Sequence, residues 1–332
     1  MQAFTILGAG AWGTAVALVL AQKPRHRVTL WGARPDNVRL LQERRENVRL
    51  LPGVPIPPSV TLTDNVRAAT ADADLLVTAI PTVHLRPTLK RIAPELPDGR
   101  PVLSLTKGLE IDTFLRPSEV IQQTLGEREV AVLSGPSHAE EVSRGQPASL
   151  VVAGRDLDLL AAVQKEFSTD RFRVYTNLDV VGVELAGALK NVIGIAAGIG
   201  QGLGFGDNAR SALLTRGLVE MARFGVALGA ESKETFYGLA GVGDLITTCM
   251  SPHGRNRSVG ERLAKGEKLA ELLKGMAMVA EGVTTTRSVH ARARQMGIPM
   301  PITTEVYRVL YEGKDPRQAV NDLMLREPKR EA

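Results

Sequence analysis

The stretch Phe4-Thr5-Ile6-Leu7-Gly8-Ala9-Gly10-Ala11-Trp12-Gly13-Thr14-Ala15-Val16-Ala17 leaves the start of the chain few ways to fold. An apolar run the length of one strand breaks at three spaced glycines into a pattern of helical period. Gly8 allows the tight turn out of the strand, Gly10 has no side chain to hold a pyrophosphate off the backbone, and Gly13 lets the helix pack closely on the strand. The helix N-terminus then offers N–H groups and a partial positive charge to phosphates. Three glycines in this order also occur in turns that bind nothing. Their weight comes from the strand before, the helix after and a second strand, Val28-Thr29-Leu30-Trp31, that closes the unit. The run reads as a dinucleotide site.

Through about residue 180, short β-branched or apolar runs alternate with helical patterns, which predicts a parallel sheet covered by helices. Asp74-Leu75-Leu76-Val77-Thr78-Ala79-Ile80-Pro81 reads as a strand stopped by proline, and Pro101-Val102-Leu103-Ser104-Leu105-Thr106-Lys107-Gly108 as another with Lys107 just past its end. Ala131-Val132-Leu133-Ser134-Gly135-Pro136-Ser137-His138-Ala139-Glu140 is a third, in which Ser137 and Glu140 have capping-box spacing for a following helix. Segments Ser149 to Ala153 and Phe172 to Tyr175 continue the sheet. Ligands of such sheets bind beyond the carboxyl ends of the strands. Lys107, Gly135 and Ser137 are therefore expected to project toward the crevice of the first glycine loop.

From about Asp179 the β signal ends, and helical segments follow at Val183 to Ala197, Asn208 to Leu228, Val259 to Lys265, Gly282 to Met296 and Thr304 to Tyr311. The expected class is α/β. A Rossmann-type doubly wound parallel sheet occupies residues 1–180, and a mostly α-helical C-terminal domain, residues 181–332, joins it tightly. The tail from about Glu327 reads as frayed.

Composition narrows what such a chain does. At 332 residues it has room for two domains of the usual ~150 residues. Apolar content of 44% and charged content of 23% are those of an ordinary soluble globular protein. The single cysteine, Cys249, excludes an internal disulfide and fits a reducing compartment. Met1-Gln2-Ala3 runs straight into the first strand, so no targeting segment is expected. The most apolar later stretch, Val192 to Gly200, is shorter than the ~20 residues that span a bilayer. A cytoplasmic protein is expected, with no integral membrane association. A net charge of +5 over 332 residues is mild and forms no basic tract with interleaved aromatics, so nucleic acid is not expected as a partner. Phosphorylated small molecules are the simpler use of that charge.

The helix from Val183 to Ala197 is apolar nearly all round, which predicts burial and makes Lys190 and Asn191 out of place. Ala186, Gly187, Ile193 and Gly194 share the face of Lys190. Three of these four are small and leave room for a ligand. A lysine whose stem is buried and whose ammonium reaches the surface would give the same pattern. If Lys190 is buried near a second cation such as Lys107, its pKa of ~10.4 falls toward working pH.

A second cluster runs Gly241-Val242-Gly243-Asp244-Leu245-Ile246-Thr247-Thr248-Cys249, then Gly254-Arg255-Asn256-Arg257. Asp244 alone reads as a cap, and Arg255 and Arg257 as solvated surface. Together with the bare backbone of the glycines, the Arg-Asn-Arg run suits a phosphate, which arginine meets with a planar fork of donors. Cys249 reads as a small packed residue. His138, His253 and the other three histidines lack metal-ligand spacing, so no metal is expected.

The end of the second strand bears on cofactor choice. NAD-specific sites usually place a carboxylate there, about 20 residues beyond the glycines, to bind the ribose 2′-hydroxyl. Here the strand runs into Gly32-Ala33-Arg34, and Asp36 comes only after Pro35. Nothing in Gly32 or Ala33 repels a 2′-phosphate and Arg34 can pair with one, so NADP(H) is expected to be preferred, with NAD(H) still usable.

Gly8-Ala9-Gly10-Ala11-Trp12-Gly13-Thr14-Ala15, Thr106-Lys107-Gly108, Ser134-Gly135-Pro136-Ser137, Gly187-Ala188-Leu189-Lys190-Asn191, Gly243-Asp244-Leu245, Arg255-Asn256-Arg257 and Val279-Ala280-Glu281-Gly282 together resemble the bacterial NAD(P)-dependent glycerol-3-phosphate dehydrogenases. The match keeps one order from Ile6 to about Asp315. The resemblance implies that Lys190 gives and takes the proton, with Lys107, Asp244 and Thr248 beside it as the catalytic group. It implies that Arg255 and Asn256 hold the substrate phosphate and that Gly135 and Ser137 line the pocket, with Lys107, Lys190, Asn191, Asp244 and Gly254 also in the substrate set. Ala11, Trp12, Arg34, Ala139, Val279 and Glu281 contact the cofactor in that reading, along with Gly8, Gly10, Gly13, Lys107 and Arg255. Ala11 and Gly254 each stand where many members have serine. The first change removes a hydroxyl contact to the pyrophosphate, and the second removes a side-chain contact to substrate.

The resemblance further implies a homodimer that interconverts dihydroxyacetone phosphate and sn-glycerol 3-phosphate, the backbone of phospholipids. In the reducing direction Lys190 as ammonium protonates the carbonyl oxygen while hydride reaches the carbon. Two other readings stay open on the residues. One is a β-hydroxyacid or 6-phosphogluconate type dehydrogenase, which also pairs a dinucleotide domain with a helical one and uses a lysine. The other is a non-catalytic NADP-sensing regulator in which Lys190 is structural.

Overall fold

The first strand, β1 (Ala3–Leu7), is buried along its whole length, as a strand must be when helices cover both faces of a parallel sheet. The computed structural model describes residues 1–275, 280–328, 330 and 331. After β1 come α1 (Ala11–Ala21), β2 (Arg27–Trp31), α2 (Pro35–Arg44), a small ribbon of β3 (Glu46–Asn47) and β4 (Leu51–Pro55), β5 (Val60–Thr63) and α3 (Val66–Thr70). The chain then crosses to the other side of β1 with β6 (Leu75–Thr78), α4 (Thr82–Ile92), β7 (Val102–Ser104), α5 (Pro117–Leu125) and β8 (Val130–Ser134). The short α6 (Ala139–Val142), β9 (Ala148–Ala153), α7 (Leu157–Phe167) and β10 (Phe172–Asn177) complete the sheet. Its strand order is β10-β9-β8-β7-β6-β1-β2-β5. The direction of winding reverses at β1, so the glycine loop that leaves β1 lies at the switch point where such sheets bind ligands.

The expectation of parallel strands throughout needs one correction. Strands β8 and β9 pair antiparallel, with Val132 opposite Ala153. A parallel crossover needs a dozen or more residues and usually a full helix lying on the sheet, whereas only the four-residue α6 lies between these strands. Strands β1, β6, β7 and β8 do run parallel, so the loops at their carboxyl ends open on one edge. Along β1 the side chains alternate between two cores. Phe4 and Ile6 pack with Leu30, Leu103 and Leu133 on one face, and Leu7 packs with Leu76, Leu85 and Leu89 on the other.

The expected capping box is a second correction. His138, not Ser137, is the N-cap of α6, and Ser137 Oγ instead donates to the Gly135 carbonyl at 2.8 Å.

After β10 the described elements are helical: α8 (Val180–Gly202), α9 (Asp207–Ala227), α10 (Asp244–Met250), α11 (Arg255–Ala264), α12 (Leu269–Lys274), α13 (Glu281–Gln295), α14 (Pro301–Tyr311) and α15 (Pro316–Met324). From Glu327 onward the described residues form no regular element. Helix α8 is much longer than the apolar stretch read from the sequence. With 23 residues and a mean hydropathy of 1.6 it is long and apolar enough to cross a bilayer, yet 83% of its apolar window is buried inside the protein. Asp179 caps it through Gly182 N. In its first turns Glu184 accepts hydrogen bonds from Ser118 N, Ser118 Oγ and Arg116 Nη1, tying α8 to α5. Toward its other end α8 meets α11 at backbone contact. A Cβ on Gly198 would lie 1.9 Å from the Arg257 carbonyl oxygen, and one on Gly260 would lie 2.0 Å from that of Ile195.

Candidate active site

Lys190 lies midway along α8 and is buried, at 7% exposure. The ammonium does not reach for the surface. Its Nζ donates to Asp244 Oδ1 and to Thr248 Oγ1, each at 2.6 Å. Asp244 opens α10 directly after a π turn at Leu239–Gly243, a local widening that proteins often place at functional sites. Thr248 follows one helical turn later on the same face.

Lys107, just beyond β7, reaches the same carboxylate from the sheet side. Its Nζ donates to Asp244 Oδ2 at 2.7 Å, to the Gly135 carbonyl at 2.9 Å and to Ser137 Oγ at 3.4 Å. The loops after β7 and β8 thus meet α8 and α10 at one carboxylate.

Two ammonium groups on one carboxylate leave a net positive charge in a buried crevice, which suits a phosphorylated substrate and a developing alkoxide. Burial lowers the pKa of Lys190 to about 8, with Lys107 adding to the fall and Asp244 opposing it. Burial works to raise the Asp244 carboxyl, but Lys107 and Lys190 outweigh it and hold the group below its ordinary value. Lys190 can therefore exchange a proton near neutral pH.

Some of the room beside the small neighbours of Lys190 is taken by protein side chains. A Cβ on Gly187 would lie 2.8 Å from Ser134 Oγ and 3.7 Å from Lys107 Cγ, and one on Gly194 would lie 2.7 Å from Thr248 Cγ2. The missing side chain at Gly194 admits Thr248, a partner of Lys190, and the one at Gly187 admits Ser134 and the stem of Lys107.

Asn191 Oδ1 accepts from Asn256 Nδ2 at 2.9 Å, and Asn256 Oδ1 accepts from Gly282 N at 2.9 Å, so the two asparagines join α8, α11 and α13. Arg255 is exposed at the first turn of α11, where the helix dipole favours an anion. Gly254, its N-cap, has no room for a side chain, since a Cβ would lie 2.8 Å from the Thr248 carbonyl oxygen. Buried Cys249 has its thiol pushed up to about 12 by desolvation and is inert packing.

The glycine loop fits a dinucleotide. Gly8 adopts φ +127°, and a Cβ there would lie 2.6 Å from the Ala79 carbonyl oxygen. At Gly13 the corresponding distance, to the Gly8 carbonyl oxygen, is 2.0 Å, whereas no atom lies within 4 Å of the added carbon at Gly10. No side chain caps α1, so its first N–H groups stay available to an anion. Ala11 and Trp12 pack partly against the sheet core, and Trp12 Nε1 is a buried donor without a partner among the described residues. Ala139 is buried in the same core. Arg34 is exposed at the N-cap of α2. Val279 lies outside the described residues.

Glu281 opens α13 and accepts hydrogen bonds from Thr82 N and Oγ1 at the start of α4. Burial raises its carboxyl pKa, with Thr82 and the charge of Arg255 pulling the other way. Sequence reading missed Thr82, whose partner lies 199 residues away. His138 carries no such signal in the sequence, although the ring sits within the electrostatic reach of Lys190 and Asp244.

Comparison with known proteins places this geometry. The family model described as NAD-dependent glycerol-3-phosphate dehydrogenase N-terminus matches residues 3–160, and the one for the C-terminus matches residues 179–321. A glycerol-3-phosphate dehydrogenase (NAD(P)+) of Chlorobium phaeobacteroides (strain BS1) is 49% identical over 330 residues, covering 98% of each chain. The protein of that name from Geobacillus thermodenitrificans (strain NG80-2) is 47% identical over 100% of this chain and 97% of its own. A crystal structure of glycerol-3-phosphate dehydrogenase from Coxiella burnetii superposes with a TM-score of 0.93 at 38% identity, over 98% of this chain and 99% of that one. Agreement over both halves and nearly the whole length means that the chain belongs to the NAD-dependent glycerol-3-phosphate dehydrogenase family.

Proposed function

We propose that the chain catalyses the reversible reduction of dihydroxyacetone phosphate to sn-glycerol 3-phosphate, with Lys190 as general acid and base. The observation that carries the proposal is the buried Lys190 ammonium held by Asp244 and Thr248, and burial lowers its pKa to about 8. When bound, the nicotinamide cofactor supplies the hydride in one direction and takes it in the other. In the reducing direction Lys190 donates its proton to the carbonyl oxygen as that oxygen gains negative charge, and regains one from solvent before the next turnover. In the oxidising direction the neutral amine takes the hydroxyl proton. Asp244 and Thr248 aim the Nζ, and Lys107 adds positive charge beside the developing alkoxide. Arg255 and Asn256 hold the phosphate, and Gly135 and Ser137 line the pocket with Asn191. Arg257 remains outside this assignment.

For the cofactor we assign the glycine loop Gly8, Gly10 and Gly13 with Ala11, Trp12, Ala139 and Glu281, and prefer NADP(H) over NAD(H) because Arg34 stands where a carboxylate would select NAD. The domain division falls at residues 180 and 181. Its support is that β10 ends at Asn177 and only helical elements are described beyond it. A homodimer is supported by a cavity of about 800 Å³ lined by Ile199, Leu213, Val306, Val309 and Met324. Met324 and Leu325 beside it are 80% and 82% exposed. We assign the protein to the cytoplasm and to supply of the glycerophospholipid backbone.

The test is oxidation of NADPH by purified protein with and without dihydroxyacetone phosphate. Substrate-dependent oxidation is expected; cofactor binding without it would return the chain to the sensing reading.

A further inference from the structure

His138 follows Ser137 in the loop after β8, and His253 precedes Gly254 and Arg255 in the loop between α10 and α11. The two rings meet across the crevice, with centroids 5.9 Å apart and planes inclined at 60°. His138 Nε2 is buried and has no hydrogen-bond partner among the described residues, an arrangement that is destabilising unless another state of the protein satisfies the atom. Burial lowers the pKa of this imidazole, and of the charges around it Lys190 lowers it further while Glu140, Asp244 and Glu141 raise it. The ring is thus neutral at working pH and beside the proton carrier. The central carbonyl and the charged phosphate of the substrate already have partners in the proposed reaction, since Lys190 takes the carbonyl oxygen and Arg255 the phosphate. What remains is the uncharged terminal hydroxyl, which a neutral imidazole nitrogen can pair with in either tautomer.

We propose that His138 is a specificity residue that hydrogen-bonds the terminal hydroxyl of the three-carbon substrate, and that His253 covers it when no substrate is held. This inference rests on the proposed reduction of dihydroxyacetone phosphate.

The experiment compares KM for dihydroxyacetone phosphate with the inhibition constant of acetol phosphate, the methyl ketone that lacks the terminal hydroxyl. His138→Phe is expected to raise the first by roughly 10-fold or more, the usual effect of losing a buried hydrogen bond, and to change the second less than twofold. His138→Gln should recover part of the loss. His253→Ala should leave both constants as they are or lower that for dihydroxyacetone phosphate. Equal losses on both compounds in His138→Phe, no loss on either, or His253→Ala matching His138→Phe would overturn the inference. Wild-type protein inactive on dihydroxyacetone phosphate would overturn the proposed reaction and this inference together.

Discussion

Lys190 Nζ and Asp244 Oδ1 meet at 2.6 Å inside the protein, and Asp244 turns its other oxygen to Lys107 at 2.7 Å. One carboxylate thus bridges two lysines. Asp244 keeps part of the ammonium form of Lys190 against the burial that disfavours it.

The pH dependence follows from the depressed pKa of Lys190. Reduction needs the ammonium, so its kcat/KM should be high below about 8 and fall as pH rises through that value. Oxidation needs the amine and should rise through the same value. Lys190→Ala should lower turnover by roughly 10²- to 10⁴-fold, the usual contribution of one proton-transfer group, with cofactor affinity kept. Profiles in both directions check the signs; near-normal turnover in folded Lys190→Ala would remove the residue from the mechanism.

Asp244→Asn removes the charge that opposes burial and Lys107 at Lys190. The inflection for reduction should move to lower pH, and activity at neutral pH should fall more steeply than at pH 6. A profile that keeps the wild-type inflection would mean that Asp244 only positions the Nζ.

Arg255→Ala should weaken phosphorylated substrate by one to two orders of magnitude, the value of ~1.5 to 3 kcal/mol for a charge-assisted hydrogen bond. Unphosphorylated dihydroxyacetone, a poor substrate in any case, should hardly respond. Equal slowing of both would give Arg255 another task, such as contact with the cofactor.

Arg34→Ala should weaken NADPH and leave NADH unchanged. Dissociation constants for both cofactors on both proteins, at one salt concentration because the contact is partly screened, provide the measurement. A wild-type preference for NADH would show that the end of β2 does not read the 2′-phosphate.

Gly198→Ala places a carbon 1.9 Å from the Arg257 carbonyl oxygen and must part α8 from α11. Overpacking of this kind costs about 1–3 kcal/mol. Thermal unfolding should show the loss, and KM for dihydroxyacetone phosphate should rise because Lys190 and Arg255 ride on the separated helices. Unchanged Tm would mean that the helix pair adjusts freely.

What was legible in the sequence was what lies close together along it. The strand, three glycines and helix from Phe4 to Ala17 are contiguous, and each glycine does a job that its neighbours reveal. Lys190 can be singled out because a charge in an all-apolar helix conflicts with burial, and that burial, with Lys107 adding to it, lowers its pKa. Asp244 on its own read as a cap, because nothing local shows that its partners lie 54 and 137 residues away. The same distance hid the pair of Glu281 and Thr82. Residues 46–63 give no strand signal because Pro52, Pro55, Pro57 and Pro58 imitate turn signals, although edge strands accept proline. The antiparallel β9 was illegible because strand composition does not encode direction.

Helix α8 is anchored near its start, where Glu184 grips Ser118 and Arg116, and near its end, where Gly198 touches α11. At ~1.5 Å per residue it is a rod of about 35 Å, and Lys190 stands close to its midpoint. When one end of a rod shifts and the other is held, the middle moves half as far. An adjustment of an ångström where the substrate phosphate binds, or where the sheet meets the helix, reaches the proton carrier halved. The lever damps motion at the one atom whose placement the chemistry tolerates least.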